Sequence, residues 1–382
     1  MGQTLSEPIT DKKSHSETDA NYTYGLSSMQ GWRFSILFND DDDEDDGHDG
    51  HDGHDDNGAM EDAHAAVLKL DDTDASFFGV YDGHGGSTVA EYTGNVLHHK
   101  VRSSPYFDKK EYRLALKDAF LTIDQDLKED PNFAYDPSGC TAVTALITDE
   151  KKLFVANAGD SRSILSIDGQ SKALSYDHKP MDRLESQRIV AAGGFVEFGR
   201  VNGNLALSRA IGDFEFKQNE HLPAEEQVVT CNPDIIEHQL TNEDEFIVLA
   251  CDGIWDCMSN QEVVDYIRVR IGKKQPLETI CEAIMDHCLA SDSEGTGIGC
   301  DNMSIIIVGI LNRRNKEEWY EWMASRVPRS QLDELDDSMI APTTPMNDVM
   351  DDSVDEKISL TSAANPDPAT APPAPAKKDP VP

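Results

Sequence analysis

The chain lacks any apolar run near the ~18 residues that a membrane-crossing helix needs. Its longest such run, Ile305 to Leu311, has the length of one buried strand. Basic residues are scarce: 33 Lys and Arg stand against 72 Asp and Glu, for a formal net charge of -39. No Lys/Arg cluster is present to bind a phosphate backbone, so no nucleic-acid partner is expected. The seven cysteines are odd in number and include no Cys-x-x-Cys pair. They read as reduced thiols of an intracellular protein, mostly small buried hydrophobes. Residues from Gln3 onward are polar, and no secretory signal is visible.

What is present divides the chain. Hydrophobic residues make up 38%, enough for a substantial core. Residues 1–21 are polar and unpatterned and are expected to form a disordered N-terminal tail. Met1-Gly2-Gln3-Thr4-Leu5-Ser6 fits the pattern for N-myristoylation at Gly2, with a plain tail as the alternative. One acyl chain would give only weak, reversible membrane attachment. Within residues 34–60 lies a run of acids followed by repeated Gly-His-Asp, which cannot build a packed core. Asp42, Glu44, Asp46 and Gly47 approach a calcium-loop pattern, but Gly53 stands where the bidentate Glu is required. His48, His51 and His54 can collect a metal only loosely, and a solvated spacer is the expectation. Residues 313–327 predict a helix with Trp319 and Trp322 on its apolar stripe. Residues 328–382, Asp-rich and then Pro- and Ala-rich, are expected to be disordered.

The middle reads as one domain, residues 22–312. Phe77–Tyr81, Thr141–Thr148, Lys152–Asn157, Ser161–Ile167, Phe246–Ala250 and Met303–Leu311 predict strands. Helical periodicity appears in Tyr112–Lys128, Arg183–Ala192, Asn260–Ile271 and Leu277–Ala290. Strands arrive in adjacent pairs, and so do helices. That order predicts an α+β fold with antiparallel sheets and helices packed outside them.

Four acidic clusters sit at the ends of these apolar runs or just before one. They are Met60-Glu61-Asp62-Ala63-His64, Tyr81-Asp82-Gly83-His84-Gly85-Gly86, Cys251-Asp252-Gly253 and Cys300-Asp301-Asn302-Met303. Converging carboxylates repel, and hard divalent cations relieve that repulsion through oxygen ligands. Glycine after aspartate lets a backbone carbonyl approach a metal closely. The plainer reading is that Asp-Gly pairs make turns.

The pattern resembles one family. Asp82-Gly83-His84-Gly85-Gly86 is similar to the signature of type 2C metal-dependent protein phosphatases. Gly139-Cys140-Thr141-Ala142, Asn157-Ala158-Gly159-Asp160-Ser161-Arg162, Asp177-His178-Lys179-Pro180, Leu205 to Asp213, Cys251 to Asp256 and Asp301-Asn302-Met303-Ser304 match further motifs in the family's order. The segment around Trp319 is similar to fungal members. The resemblance implies two stacked antiparallel sheets flanked by helices, with a binuclear metal site at one edge. It implies hydrolysis of phosphoserine and phosphothreonine in protein substrates by a metal-bridging water or hydroxide, and so a negative regulator of kinase signalling. Two Mg2+ or Mn2+ ions are implied, with a weaker third in some members. By position, Asp82 would bridge both ions, Asp252 and Asp301 would complete the first ion's ligands, and the Gly83 carbonyl, Glu61 and Asp62 would serve the second. Asp160 matches a ligand of the third. His84 would be the general acid, with a turn histidine tied to a carboxylate as the alternative. His64 would orient His84 or a ligand, or pack in the core. Arg33 would grip the substrate phosphate. No cysteine nucleophile is needed, and no Cys-x5-Arg loop exists. A cytoplasmic and nuclear monomer is the default expectation.

One departure from the family stands out. There the arginine lies a few residues before the Glu-Asp pair, whereas here residues 34–60 intervene. They are either a loop that returns Arg33 to the cleft or a gene-model error such as translated intron sequence. A catalytically impaired scaffold protein is the alternative function if Arg33 is displaced.

Overall fold

The computed structural model describes residues 4–33, 60–133, 135–293, 295 and 297–333. Gly2, residues 34–59 with His48, His51 and His54, and residues 334–382 lie outside the described residues.

In chain order, strands β1 (Thr4–Thr18), β2 (Tyr22–Arg33), β3 (Ala63–Val67), β4 (Ser76–Tyr81) and the two-residue β5 (Gly83–His84) precede helices α1 (Thr88–Ser103) and α2 (Tyr112–Glu129). Next come β6 (Gly139–Cys140), β7 (Ala142–Ile147), β8 (Lys152–Ala158), β9 (Arg162–Ile167) and β10 (Gln170–Ala173). Helix α3 (Arg183–Ala191) leads to β11 (Val196–Glu197), β12 (Arg200–Val201), β13 (Ile211–Gly212), β14 (Asp234–Gln239) and β15 (Asp244–Ala250). The chain then runs through α4 (Asp252–Trp255), α5 (Asn260–Gly272), α6 (Leu277–Cys288), β16 (Met303–Ile310), α7 (Lys316–Arg326) and α8 (Arg329–Asp333).

Two antiparallel sheets face each other, with strand orders β1-β2-β16-β15-β9-β10 and β14-β8-β7-β4-β3. Alternation along the strands builds three apolar layers. Leu26, Phe78, Val143, Val155, Leu249 and Ile306 fill the space between the sheets. Phe77, Tyr81 and Leu146 point outward to α1 and α2. Val248, Ile305 and Ile307 point outward to α5, α6 and α7, where Trp319 is fully buried. Both faces of each sheet are therefore covered, which is why the central strands read as continuous apolar runs.

The expected disordered tail is corrected in part. Residues 4–18 form β1, an edge strand paired with β2 from Lys12↔Met29 to Thr18↔Thr23. Asp19 caps the turn, its Oδ1 accepting the Asn21 and Tyr22 N–H groups. The strand's outward contacts are polar: Ser14 Oγ donates to Glu282 at 2.6 Å, and Lys12 pairs with Asp286 at 2.6 Å. Charged edge strands of this kind carry no apolar alternation to read. At the other end, residues 329–333 form α8 where disorder was expected from 328 onward. The C-terminal helix itself runs Lys316–Arg326, opened by a capping box between Asn315 and Glu318.

Candidate active site

The edge of the sandwich gathers the chemistry-bearing strand ends. Asp82 follows β4, and its backbone is tied to Thr141 in both directions, at 2.9 and 3.3 Å. Asp160 sits in the turn between β8 and β9, Asp252 opens α4 just after β15, and Asp62 immediately precedes β3. Carboxylate oxygens of Asp82, Asp160 and Asp252 lie within 4.8 Å of one another. Asp62, Asp82 and the Cys251 sulfur form a second such group, so Asp82 belongs to both.

At 4.8 Å two unit charges repel by roughly 3 kcal/mol at an effective dielectric of ~20. Burial first, and then the neighbouring aspartates, hold the Asp82 and Asp252 carboxyls well above the ordinary range. Burial pushes Asp62 up to about 7; Asp301 adds to the rise, while Ser304, Cys251 and Arg33 oppose it. Neither Asp62 oxygen has a partner of good hydrogen-bond geometry, although Ser304 and Cys251 stand close enough to act on it. An orphaned buried carboxylate beside a repelling cluster is costly unless protons or cations complete it. Burial keeps the Cys251 thiol protonated, and its sulfur is occupied with the Ser304 N–H at 3.1 Å and the Asn302 carbonyl at 3.5 Å. The donors left over are oxygens, the set that hard divalent cations prefer.

The remaining sequence-predicted residues surround this cluster. Arg33 closes β2 and forks onto Asp301, its Nε bonding Oδ1 and its Nη2 bonding Oδ2 at 2.7 Å. Burial alone would disfavour the Arg33 charge, but Asp301, Asp82 and Glu61 outweigh it and raise its pKa. Arg33 thus stands in the cleft. Asp301 faces the cluster electrostatically but lies outside both metal-capable groups, and Arg33 engages its carboxylate. Glu61 accepts the Gly86 N–H at 2.8 Å, and its own N–H donates to Asn302 Oδ1 at 2.9 Å. Gly83 presses on the Glu61 backbone so closely that a Cβ would fall 2.2 Å from the Glu61 carbonyl oxygen. Only glycine fits there.

His84 meets Asp213, a partner to which the sequence assigns no role. Its Nε2 lies 2.8 and 2.9 Å from the two oxygens of Asp213, which is 4% exposed. Burial lowers the imidazole pKa, but the Asp213 charge and hydrogen bond, with Glu61 and Asp160 beyond, raise it overall. A three-stranded sheet, β13-β6-β5, sets this pair: His84 lies opposite Gly139, and Gly139 opposite Gly212. A Cβ at Gly139 would sit 2.3 Å from Asp213 Oδ2 and 2.8 Å from His84 Nε2. Asp213 itself adopts a left-handed backbone, φ +52, which costs about 1–2 kcal/mol in a non-glycine residue. His64 does not reach His84; it is exposed on β3, near Lys13 and His15, so both expectations for it are corrected.

The profile of the protein phosphatase 2C family matches residues 46–297. Protein phosphatase 2C homolog 2 of Schizosaccharomyces pombe is 50% identical over 332 residues, spanning 86% of this chain and 83% of that one. The chain belongs to the protein phosphatase 2C family. A probable protein phosphatase 2C of Caenorhabditis elegans is 48% identical over 83% of this chain and 82% of its own length. Similar relatives range from fungi to this nematode and Arabidopsis thaliana, so a fungal affinity is not singled out. A crystal structure of a phosphatase from Toxoplasma gondii shares the fold, with TM-score 0.62 and 24% identity over 78% of this chain and 96% of that one.

Within this phosphatase 2C chain, several site residues belong to matched motifs but carry no expected role. Lys179 Nζ pairs with Asp160 at 2.6 Å. Burial opposes its charge, yet Asp160 and then Asp252 raise its pKa. Asn302 bridges Glu61 and the Gln30 carbonyl. The motif matches were the only sequence signal for these residues and for Asp213, because a partner far away in sequence is invisible to local pattern.

Proposed function

We propose that this chain is a metal-dependent serine/threonine protein phosphatase that removes phosphate from phosphoserine and phosphothreonine. The observation that supports this best is the meeting of Asp62, Asp82, Asp160 and Asp252 beside a histidine–carboxylate pair and an arginine fork. Asp82, common to both groups, would be the shared ligand of two Mg2+ or Mn2+ ions. Asp252, Asp160, Asp62, Asp301, Glu61 and the Gly83 carbonyl would complete their surroundings, with Asp160 and Asp252 open to a weaker third ion. Bound cations of this kind offset the carboxylates, lower the pKa of coordinated water and neutralise phosphate charge.

The chain's own residues do the rest. Arg33 would exchange Asp301 for two phosphate oxygens, a bidentate match for guanidinium. His84, held by Asp213 through Nε2, keeps Nδ1 free to protonate the departing serine or threonine oxygen. Water attacks phosphorus directly, and no side chain becomes phosphorylated. The stretch from Asp177 to Asp213 carries exposed Met181, Leu184, Phe195 and Phe198 and would bear on substrate choice. Reversing kinase products in cytoplasm and nucleus makes such an enzyme a negative regulator of kinase signalling, with Gly2 a candidate for lipidation. The alternative, a catalytically impaired scaffold or binding protein, rests on the insertion after Arg33; the seating of Arg33 against Asp301 favours the enzyme.

The test is phosphate release from a phosphothreonine peptide by the full chain with Mn2+, with Mg2+ and with chelator. Metal-dependent release is expected. Equal release in chelator would sink the reading, and so would none under any condition.

A further inference from the structure

Behind His84 and Asp213 lies an ion pair that touches neither metal-capable group. Asp124, on α2, and Lys217 are both buried, with side chains 9% and 4% exposed. Asp124 Oδ1 accepts two bonds, from Lys217 Nζ at 2.7 Å and from the Gly212 backbone N–H at 2.8 Å. Lys217 Nζ also donates to the Ala210 carbonyl at 2.8 Å. The pair therefore grips the backbone on both sides of Ile211, immediately before Asp213. The gripped segment is β13, which β6 joins to the strand that carries His84. The last residue of β13 and the one after it are both left-handed, Gly212 at φ +82 and Asp213 at φ +52. Such a turn persists only when its surroundings over-determine it.

A buried ion pair is weak evidence for stability by itself, because desolvation offsets most of its attraction. A well-packed apolar pair would hold α2 to this turn equally well. An apolar pair could not accept the Gly212 N–H or donate to the Ala210 carbonyl. Those two bonds fix where the Asp213 carboxylate stands relative to the imidazole.

We propose that Asp124 and Lys217 are positioning residues for proton donation by His84, acting through the Gly212-Asp213 turn. This rests on the reading of His84 as the general acid. Their effect should then depend on how badly the leaving group needs a proton. A serine or threonine alkoxide needs one; a 4-nitrophenolate does not.

The test measures kcat and KM in Mn2+ on a phosphothreonine peptide and on 4-nitrophenyl phosphate. The variant Asp124→Leu with Lys217→Met removes both charges together and leaves no charge unpaired. Its expected kcat on the peptide falls ~10–100-fold, part of the ~10²–10⁴-fold that a general acid supplies. On 4-nitrophenyl phosphate it falls less than about threefold, with KM little changed on both. Asp124→Asn with Lys217→Met keeps an oxygen for the Gly212 N–H but not the donor to the Ala210 carbonyl, and is expected to recover part of the peptide activity. If the leucine variant does not fold, Asp124→Ser with Lys217→Met takes its place, since its hydroxyl is too short to reach Gly212 and leaves room for water. Parallel loss on both substrates, no loss, or no recovery with asparagine overturns the proposal. His84→Ala runs alongside. If it discriminates between the substrates and the Asp124 variants do not, positioning fails alone. If it hits both substrates equally, the general-acid reading fails and the proposal with it.

Discussion

Asp62 offers the sharpest thermodynamic consequence of the acidic cluster. It is 8% exposed, neither of its oxygens has a partner of good hydrogen-bond geometry, and its pKa is displaced from the ordinary 3.8 to about 7. The folded-state pKa exceeds the unfolded one, so protonated Asp62 favours the fold. That contribution is fully present below about pH 4 and is lost as pH rises through about 7. A displacement of this size corresponds to roughly 4 kcal/mol as a ceiling, since water entering the cleft reduces it. Asp62→Asn keeps the shape and removes the charge. In chelator at pH 8 it should stabilise the protein by up to that amount, raising Tm by about 5–15 °C in a domain of this size. At pH 4 the two proteins should melt together. Adding Mn2+ should reverse the order, because the ion stabilises the folded protein that binds it more tightly. The assay is thermal melting of both proteins at pH 4, 6 and 8, with chelator and with Mn2+. A variant less stable than the parent in chelator at pH 8, or a Tm difference independent of pH, would refute the reasoning.

Other residues give separate checks. Arg33→Ala should lower kcat/KM for a phosphothreonine peptide by about 10–100-fold, the worth of a charge-assisted bidentate contact at roughly 1.5–3 kcal/mol; Arg33→Lys, which lacks the fork, should restore little. Gly139→Ala should push a methyl between Asp213 and His84, cutting peptide turnover at least tenfold by the loss of general-acid geometry; full activity would contradict the packing described. Glu185 is buried, which alone would raise its pKa, but Arg209 and Arg188 bring it down to about 2. Its folded-state value is depressed, so it contributes roughly 3 kcal/mol above about pH 5 and loses it as pH falls toward 2. The stability gap between parent and Glu185→Gln, measured by denaturant melts, should therefore shrink by about half between pH 7 and pH 3.

The sandwich was legible wherever both sheet faces are buried. Phe77–Tyr81, Phe246–Ala250 and Met303–Leu311 announce themselves as apolar runs, and the structure places β4, β15 and β16 there with limits moved by two residues at most. β1 was not legible, because its neighbours outside the sheet are Glu282 and Asp286. Helix α1 went unread for a different reason: it follows a Gly-rich loop, and its polar Glu91, Asn95, His98 and His99 dilute its buried stripe of Val89, Thr93, Leu97 and Val101. At the site, strand-end aspartates are a local signal: Asp62, Asp82 and Asp252 meet and Asp160 joins them, while Asp301 is engaged by Arg33. The Asp213–His84 and Arg33–Asp301 pairs are separated by 129 and 268 residues, and only tertiary structure joins them.

Cations held by the carboxylates around Asp82 are proposed to drive phosphate release. The most direct measurement is Mn2+ binding by electron paramagnetic resonance, paired with phosphate release from a phosphothreonine peptide, for the parent chain and Asp82→Asn. The parent should bind Mn2+ and release phosphate only when the ion is bound, and the variant should lose both together. Phosphate release by Asp82→Asn at the parent's rate, or by the parent with all metal stripped, would contradict it.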